Sequence, residues 1–224
     1  MAKDVHVKIE FLTEILGMSP SDPDIYSNFI ASRADCDVED ELEGLTTEAT
    51  GYTVFPRDDD GNPCFFDYQI RGFFKDSCGL LSRVAGVDEA TGKRSKKKAT
   101  TLSGKLSCYK KVIDGNIFVT PRKIPIHTDS AITLCERPLR AMTAQGERIA
   151  LAASEQIAEG AWMEFTVHLL NDNDLDLLME WLAYGEYHGL GQWRNSGKGS
   201  FRVVECTVTD CTAALTPKFE VRYA

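Results

Sequence analysis

Residues 189–201 read Gly-Leu-Gly-Gln-Trp-Arg-Asn-Ser-Gly-Lys-Gly-Ser-Phe, so Gly189, Gly191, Gly197 and Gly199 alternate with an indole, Trp193, and two cations, Arg194 and Lys198. Glycine has no β-carbon and adopts positive φ without strain, which lets a chain bend sharply and another backbone come close. Peptide N–H groups exposed in this way, beside a guanidinium and an ammonium, suit phosphate oxygens. An indole adds a face on which a nucleobase stacks. The same composition serves equally as a purely structural turn. Two phosphate loops are excluded. A dinucleotide fingerprint runs from strand to helix, whereas this segment follows a helical pattern and precedes a strand pattern, and the Gly-Lys-Ser/Thr ending of a P-loop is missing.

The histidines are the candidates for proton transfer. His6 alternates within a strand pattern and His168 lies in an apolar one, the setting of a hydrogen-bonded structural histidine. His127 follows a strand pattern, and His188 stands at the start of the glycine-rich segment. Neither has a matched second acid or base in the sequence, so His188 and His127 are at most weak candidates for a metal-independent endoribonuclease. The seven cysteines form no C-x-x-C pair and fit neither a disulfide framework nor a zinc site. No H-x-x-x-H spacing and no nucleophile elbow occurs, so neither a metal nor a cofactor is expected.

The elements that must position these groups follow from periodicity. Val5 to Leu12 alternate apolar and polar residues, as a strand with one buried face does. An acidic insertion over 17–67 decorates the core. Within 68–85, Ile70, Phe73, Phe74, Leu80, Leu81 and Val84 recur at helical spacing. A basic loop region spans 86–115, with five cations in 92–98 predicting an exposed loop. Strand patterns follow at 116–126 and 131–135, and a hairpin at 137–157 turns around Ala144-Gln145-Gly146-Glu147. A strand at 162–170 leads through Asn171-Asp172-Asn173-Asp174, which offer N-caps, into a helix of Leu175, Leu177, Leu178, Trp181, Leu182 and Tyr184. A strand over 200–208 follows the glycine segment. The order is that of an α+β, ferredoxin-like β-α-β-β-α-β core with an inserted β-hairpin and an acidic N-terminal insertion, all in one domain over 1–224.

Of the 224 residues, 43% are hydrophobic and 26% charged, which excludes fibrous and wholly disordered classes. The net charge of −9 is unevenly spread: residues 1–67 hold 16 acidic and 4 basic residues, whereas 71–123 hold 13 basic and 4 acidic. A positive surface over Arg71, Lys75, Lys96, Lys97 and Lys98, with Lys105, Lys110 and Lys111, fits a polyanion. Arg137, Arg140 and Arg148 flank the hairpin and extend it. No apolar leader and no run of 18 apolar residues is present, so a soluble, cytoplasmic protein without a membrane partner is expected.

A glycine-rich loop of the form G-x-G-x-x-R-x-x-G-x-G-x-F, between the second helix and last strand of a ferredoxin-like domain, resembles the hallmark of the RAMP superfamily of CRISPR-associated RNA-binding proteins. The opening strand with Gly17 is similar to that family's first strand and turn. Tyr68 to Lys75 resemble the start of its first helix, where an Ile-x-Gly-x-x-Lys/Arg pattern lies near RNA, and 137–157 resembles the hairpin that backbone-forming members press against guide RNA. Two departures stand out: Ile70-Arg71 replace the usual Ser-Ser before the helix glycine, and 35–67 has no counterpart. The resemblance implies a non-catalytic subunit of an antiviral ribonucleoprotein, partnered by single-stranded guide RNA and by other subunits, copies of itself among them. Gly189, Gly191, Trp193, Arg194, Gly197, Lys198, Gly199, Arg71, Lys75, Lys96, Lys97, Lys98 and Arg140 would face the RNA. Target-cleaving members place an aspartate after the first strand, where Asp22 and Asp24 stand here, although Ser19 to Asp24 read equally as turn chemistry. The alternative is a stand-alone phage or mobile-element protein that mimics such a subunit and inhibits an RNA-guided complex by binding protein through its acidic segment.

Overall fold

The computed structural model describes residues 2–21, 52–87, 94–143 and 146–211. In chain order the strands are β1 (Ala2–Phe11), β2 (Ile15–Leu16), β3 (Ser19–Pro20), β4 (Thr53–Val54), β5 (Cys64–Phe66), β6 (Ala85–Val87), β7 (Arg94–Ala99), β8 (Ile117–Thr120), β9 (Lys123–Pro125), β10 (Thr133–Thr143), β11 (Gly146–Ile157), β12 (Trp162–Leu169) and β13 (Phe201–Cys211). The helices are α1 (Asp67–Leu81), α2 (Tyr109–Asn116) and α3 (Leu175–His188).

Alternation in β1 puts Val5, Val7, Ile9 and Phe11 on one face, and all four are buried. Its neighbours do the same with Met163, Phe165, Val167 and Leu169 on β12 and Ile117 and Val119 on β8. The four strands of this sheet order as β13-β1-β12-β8, every adjacent pair antiparallel. α1 falls between β1 and β8 in the chain and α3 between β12 and β13. Two interlocked split β-α-β units result, and the fold is α+β and ferredoxin-like.

Both helices cover the same sheet face. α1 buries Ile70, Phe73, Phe74, Ser77 and Cys78, and α3 buries Leu177, Leu178, Trp181, Leu182 and Gly185. Phe74 stacks on Trp181 with centroids 5.8 Å apart, and Phe73 meets Phe201 at 5.2 Å. α1 starts where the Gln69 side chain accepts from the Phe66 N–H at 2.7 Å, which satisfies a donor the helix leaves open.

β10 and β11 form a hairpin in register from Thr133↔Gln156 to Thr143↔Gly146. Its base is tied down by β2, antiparallel to β11, and by β4, parallel to it at Ser154↔Thr53. Several elements differ from the sequence expectation. Residues 131–135 and 137–143 merge into one strand, because Pro138 lies on β10 at the edge of its sheet, where a missing N–H costs little. The run 116–126 divides into β8 and β9 around Pro121. Arg94–Ala99, expected as a loop, pairs with β6, and α2 forms within the basic region. Phe55 and Phe65, inside the boundaries drawn for the acidic insertion, are core residues at 1% exposure each. Most of that insertion, with Asp22 and Asp24, lies outside the described residues.

Candidate nucleic-acid interface

The glycine segment leaves α3 at Gly189, whose φ of +71° ends the helix. Its two limbs then run close together: the Leu190 N–H donates to the Gly199 carbonyl at 2.8 Å, and a β-carbon on Gly189 would lie 2.4 Å from Gly199 C. The return limb docks on the corner after β1, where the Gly199 N–H donates to the Glu14 carbonyl at 2.9 Å and the Leu12 N–H to the Ser200 carbonyl at 2.8 Å. Gly191 lies against Leu16, and Gly197 is at the exposed tip, next to a short 3-10 turn over Arg194–Ser196. Close approach therefore explains the glycines at 189 and 199, and the N–H groups of Leu190 and Gly199 are spent inside the fold.

The cations of the segment are paired across the fold. Arg194 Nη1 donates to Asp76 Oδ2 on α1, and His188 Nε2 lies 2.7 Å from the same oxygen and 3.0 Å from Arg194 Nη1. The hydrogen bond from His188, followed by the charge of Arg194, holds the Asp76 carboxyl below its ordinary range. Lys198 Nζ donates to Glu14 Oε2 at 3.1 Å. The Glu14 carboxyl is likewise lowered, first by a backbone hydrogen bond and then by Lys198. Lys75 pairs with Asp114 at 2.7 Å, and Arg71 Nη2 lies 4.0 Å from Asp67 Oδ2. Lys96, Lys97 and Lys98 fall on β7 and Arg140 on β10, with side chains outside the described residues.

A residue that sequence reasoning placed only on the flank of the hairpin proves central. Arg137, on β10, is 7% exposed, and its guanidinium carbon sits 4.2 Å from the centre of the Trp193 ring. Nη2 donates to Gln192 Oε1 at 2.8 Å, while Nε and Nη1 are buried and make no hydrogen bond among the described residues. Burial pushes the Arg137 pKa down, as the cost of enclosing a cation requires. Trp193 itself has φ of +61°, a left-handed conformation unusual for a bulky side chain. The contacts of Arg194 and Arg137 thus join three elements, α1, the glycine segment and the hairpin.

The uncovered sheet face holds the other histidines. His168 Nδ1 is 2.7 Å from Asp4 Oδ1 and its Nε2 is 2.8 Å from Thr120 Oγ1, while His6 Nδ1 is 2.8 Å from Thr166 Oγ1. His168, expected in an apolar setting, is instead on the polar side of β12. His127 stacks on Trp162 with centroids 4.0 Å apart, and Lys8 Nζ lies 3.9 Å from the centre of the same indole. His188 and His127, the two candidates for acid–base work, are thus on different elements with different partners. Among the described residues no helix is long and apolar enough to cross a membrane.

No family model matches the chain, and no curated protein does. Its fold is similar to that of a chain in the cryo-EM structure of the Type III-B Cmr-beta bound to cognate target RNA, with a TM-score of 0.50 and 10% identity over 92% of this chain and 60% of that one. The likeness is one of fold, and this chain spans about three fifths of the length of its neighbour.

Proposed function

We propose that this protein is a non-catalytic RNA-binding subunit of the RAMP type, built like the proteins that line CRISPR guide RNA. The observation that carries the reading is the convergence of α1, the glycine segment and the hairpin base on one side of a ferredoxin-like sheet, joined by the Arg194–Asp76 ion pair and the Arg137–Trp193 stack. Together they supply features suited to a nucleic-acid strand: cations from α1, the hairpin and the glycine segment for phosphates, and from the glycine segment also a sharply bent backbone and an indole for stacking. The fold shared with a chain of an RNA-bound assembly supports the same reading. In this picture Gly189–Gly199 and the Arg71–Lys75 face of α1 follow the RNA backbone. The hairpin contacts RNA or the next subunit, and head-to-tail contacts between copies build a filament. The ion pairs are the resting partners of the cations, exchanged for phosphate as counterions are on binding.

The test is anisotropy of a labelled single-stranded RNA over a salt series, with the Arg194→Ala/Lys198→Ala double variant alongside. Salt-sensitive binding that the double variant weakens is the expected result. A protein that purifies without RNA, shows no salt-dependent affinity for it and is unchanged by the double variant overturns the reading. A protein partner captured in the absence of RNA points to the mimicry alternative instead.

A further inference from the structure

A guanidinium that is nine-tenths buried normally meets a carboxylate, since an enclosed cation without one costs free energy. Around the glycine segment even the more exposed cations Arg194 and Lys198 meet carboxylates, those of Asp76 and Glu14. Arg137 departs from that rule. Among the described residues its only hydrogen-bond partner is a neutral amide oxygen, that of Gln192, and two of its nitrogens make no hydrogen bond. In place of a carboxylate, the guanidinium has the face of the Trp193 indole, 4.2 Å from its carbon.

Both groups seen to meet Arg137 come from one short stretch of chain. Trp193 and Gln192 are half-buried residues of the glycine segment, between Gly191 and the exposed tip at Gly197. Trp193 is held at φ +61°. For a bulky non-glycine residue that conformation is strained. The closed arrangement therefore contains two unfavourable features, an under-partnered cation and a strained aromatic, and one movement of the 192–193 peptide relieves both.

We propose that Arg137 is a phosphate seat closed by Trp193 and Gln192, and that single-stranded RNA opens it. A phosphodiester takes the Nε–H of Arg137 and, once Gln192 lets go, its Nη2–H as a bidentate pair, and Trp193 exchanges the guanidinium for a neighbouring nucleobase. The inference rests on the RNA-binding reading and adds its anchoring residue. It also accounts for the position of the hairpin: β11, the partner of the strand that bears Arg137, is tied at its base to β2 and β4, which holds β10 beside the glycine segment.

The experiment measures the affinity of a labelled short oligouridylate over a salt series for the wild type, Arg137→Lys and Gln192→Ala. Tryptophan emission is followed in the wild type and Trp193→Phe. Arg137→Lys keeps the charge and loses the fork, and is expected to bind about tenfold more weakly. The log–log salt slope should stay the same, because the cation that displaces a counterion is kept and only the fork is lost. Gln192→Ala removes the competing acceptor and is expected to bind about threefold more tightly, a direction that damage to the fold does not mimic. RNA should change the emission of the wild type and leave that of Trp193→Phe unchanged. If Arg137→Lys does not fold, Gln192→Ala and the emission change decide the matter. Salt-sensitive RNA binding that is equal in all variants, with no Trp193-dependent emission change, overturns the seat and leaves the RNA-binding reading standing. Absence of RNA binding by the wild type removes both. Arg137-dependent capture of polyglutamate in place of RNA overturns the seat in favour of an acidic protein partner.

Discussion

A β-carbon on residue 199 would stand 1.8 Å from the carbonyl oxygen of Leu190, closer than any two such atoms can approach. The glycine segment is therefore closed by a backbone-to-backbone contact between its limbs, and the Leu190–Gly199 hydrogen bond of 2.8 Å is its clasp.

The clasp predicts unequal tolerance within one motif. Gly199→Ala must part the limbs and is expected to cost about 3 kcal/mol or more. At Gly197 the φ is +81° with open space around it, so Gly197→Ala should cost only about 1 kcal/mol. Urea unfolding of the two variants, compared at equal m-value, checks the difference.

A second prediction concerns acid. Asp76 is held below its ordinary range by His188 and Arg194, so its contribution to stability is complete above the unfolded carboxyl value of about 4 and is lost as pH falls through the lower folded value. The side chain is 38% exposed, and solvent screening keeps the contribution near 1 kcal/mol. Asp76→Asn should be less stable than the wild type by about that much near neutrality, and the two melting curves should converge as the buffer is taken below pH ~4.

Thiol reactivity should follow burial. Burial raises the Cys64 thiol to about 11, so near pH 8 only about one molecule in a thousand presents the thiolate there. Cys108 is exposed on the loop before α2. Timed alkylation of the native protein followed by peptide mass mapping should find Cys108 modified early, and Cys64 only after denaturation.

The core offers a further check. The Trp181 indole is fully buried and donates to Ser103 Oγ at 2.9 Å, and Ser103 in turn meets Glu180 Oε2 at 2.5 Å. Trp181→Phe keeps the contact with Phe74 but leaves a void and takes from Ser103 Oγ the hydrogen bond it accepts, which predicts a loss of about 2–3 kcal/mol. Thermal unfolding would show it as a lower midpoint with cooperativity retained.

The elements that sequence alone predicts are those whose pattern is local. Val5, Val7, Ile9 and Phe11 mark β1, and Leu177, Leu178, Trp181 and Leu182 mark α3, because in each case one buried face imposes its period on neighbouring residues. β7 is illegible for the complementary reason: its strand is defined by backbone pairing with β6, while its side chains read as a loop. The glycines at 189 and 199 are equally visible in the sequence, but the partners of the cations are not. Asp76 and Glu14 lie 118 and 184 residues from Arg194 and Lys198, a relationship no window of residues contains. Arg137 is legible only as a cation on the flank of the hairpin, because only the fold brings 137 beside 192 and 193.

The strand order has a kinetic consequence. β1 is made early yet occupies the middle of the sheet, with both neighbours, β12 and β13, more than 150 residues later, as the Lys3–Asp210 pair across 207 residues illustrates. Until residues beyond 200 have been synthesised, Val5, Val7, Ile9 and Phe11 have no complete sheet to join. Such non-local closure slows folding and leaves apolar strand edges open to mispairing. Completion of the sheet is thus a late event in the life of the chain, and a nascent protein interrupted before β13 would be a client for chaperones.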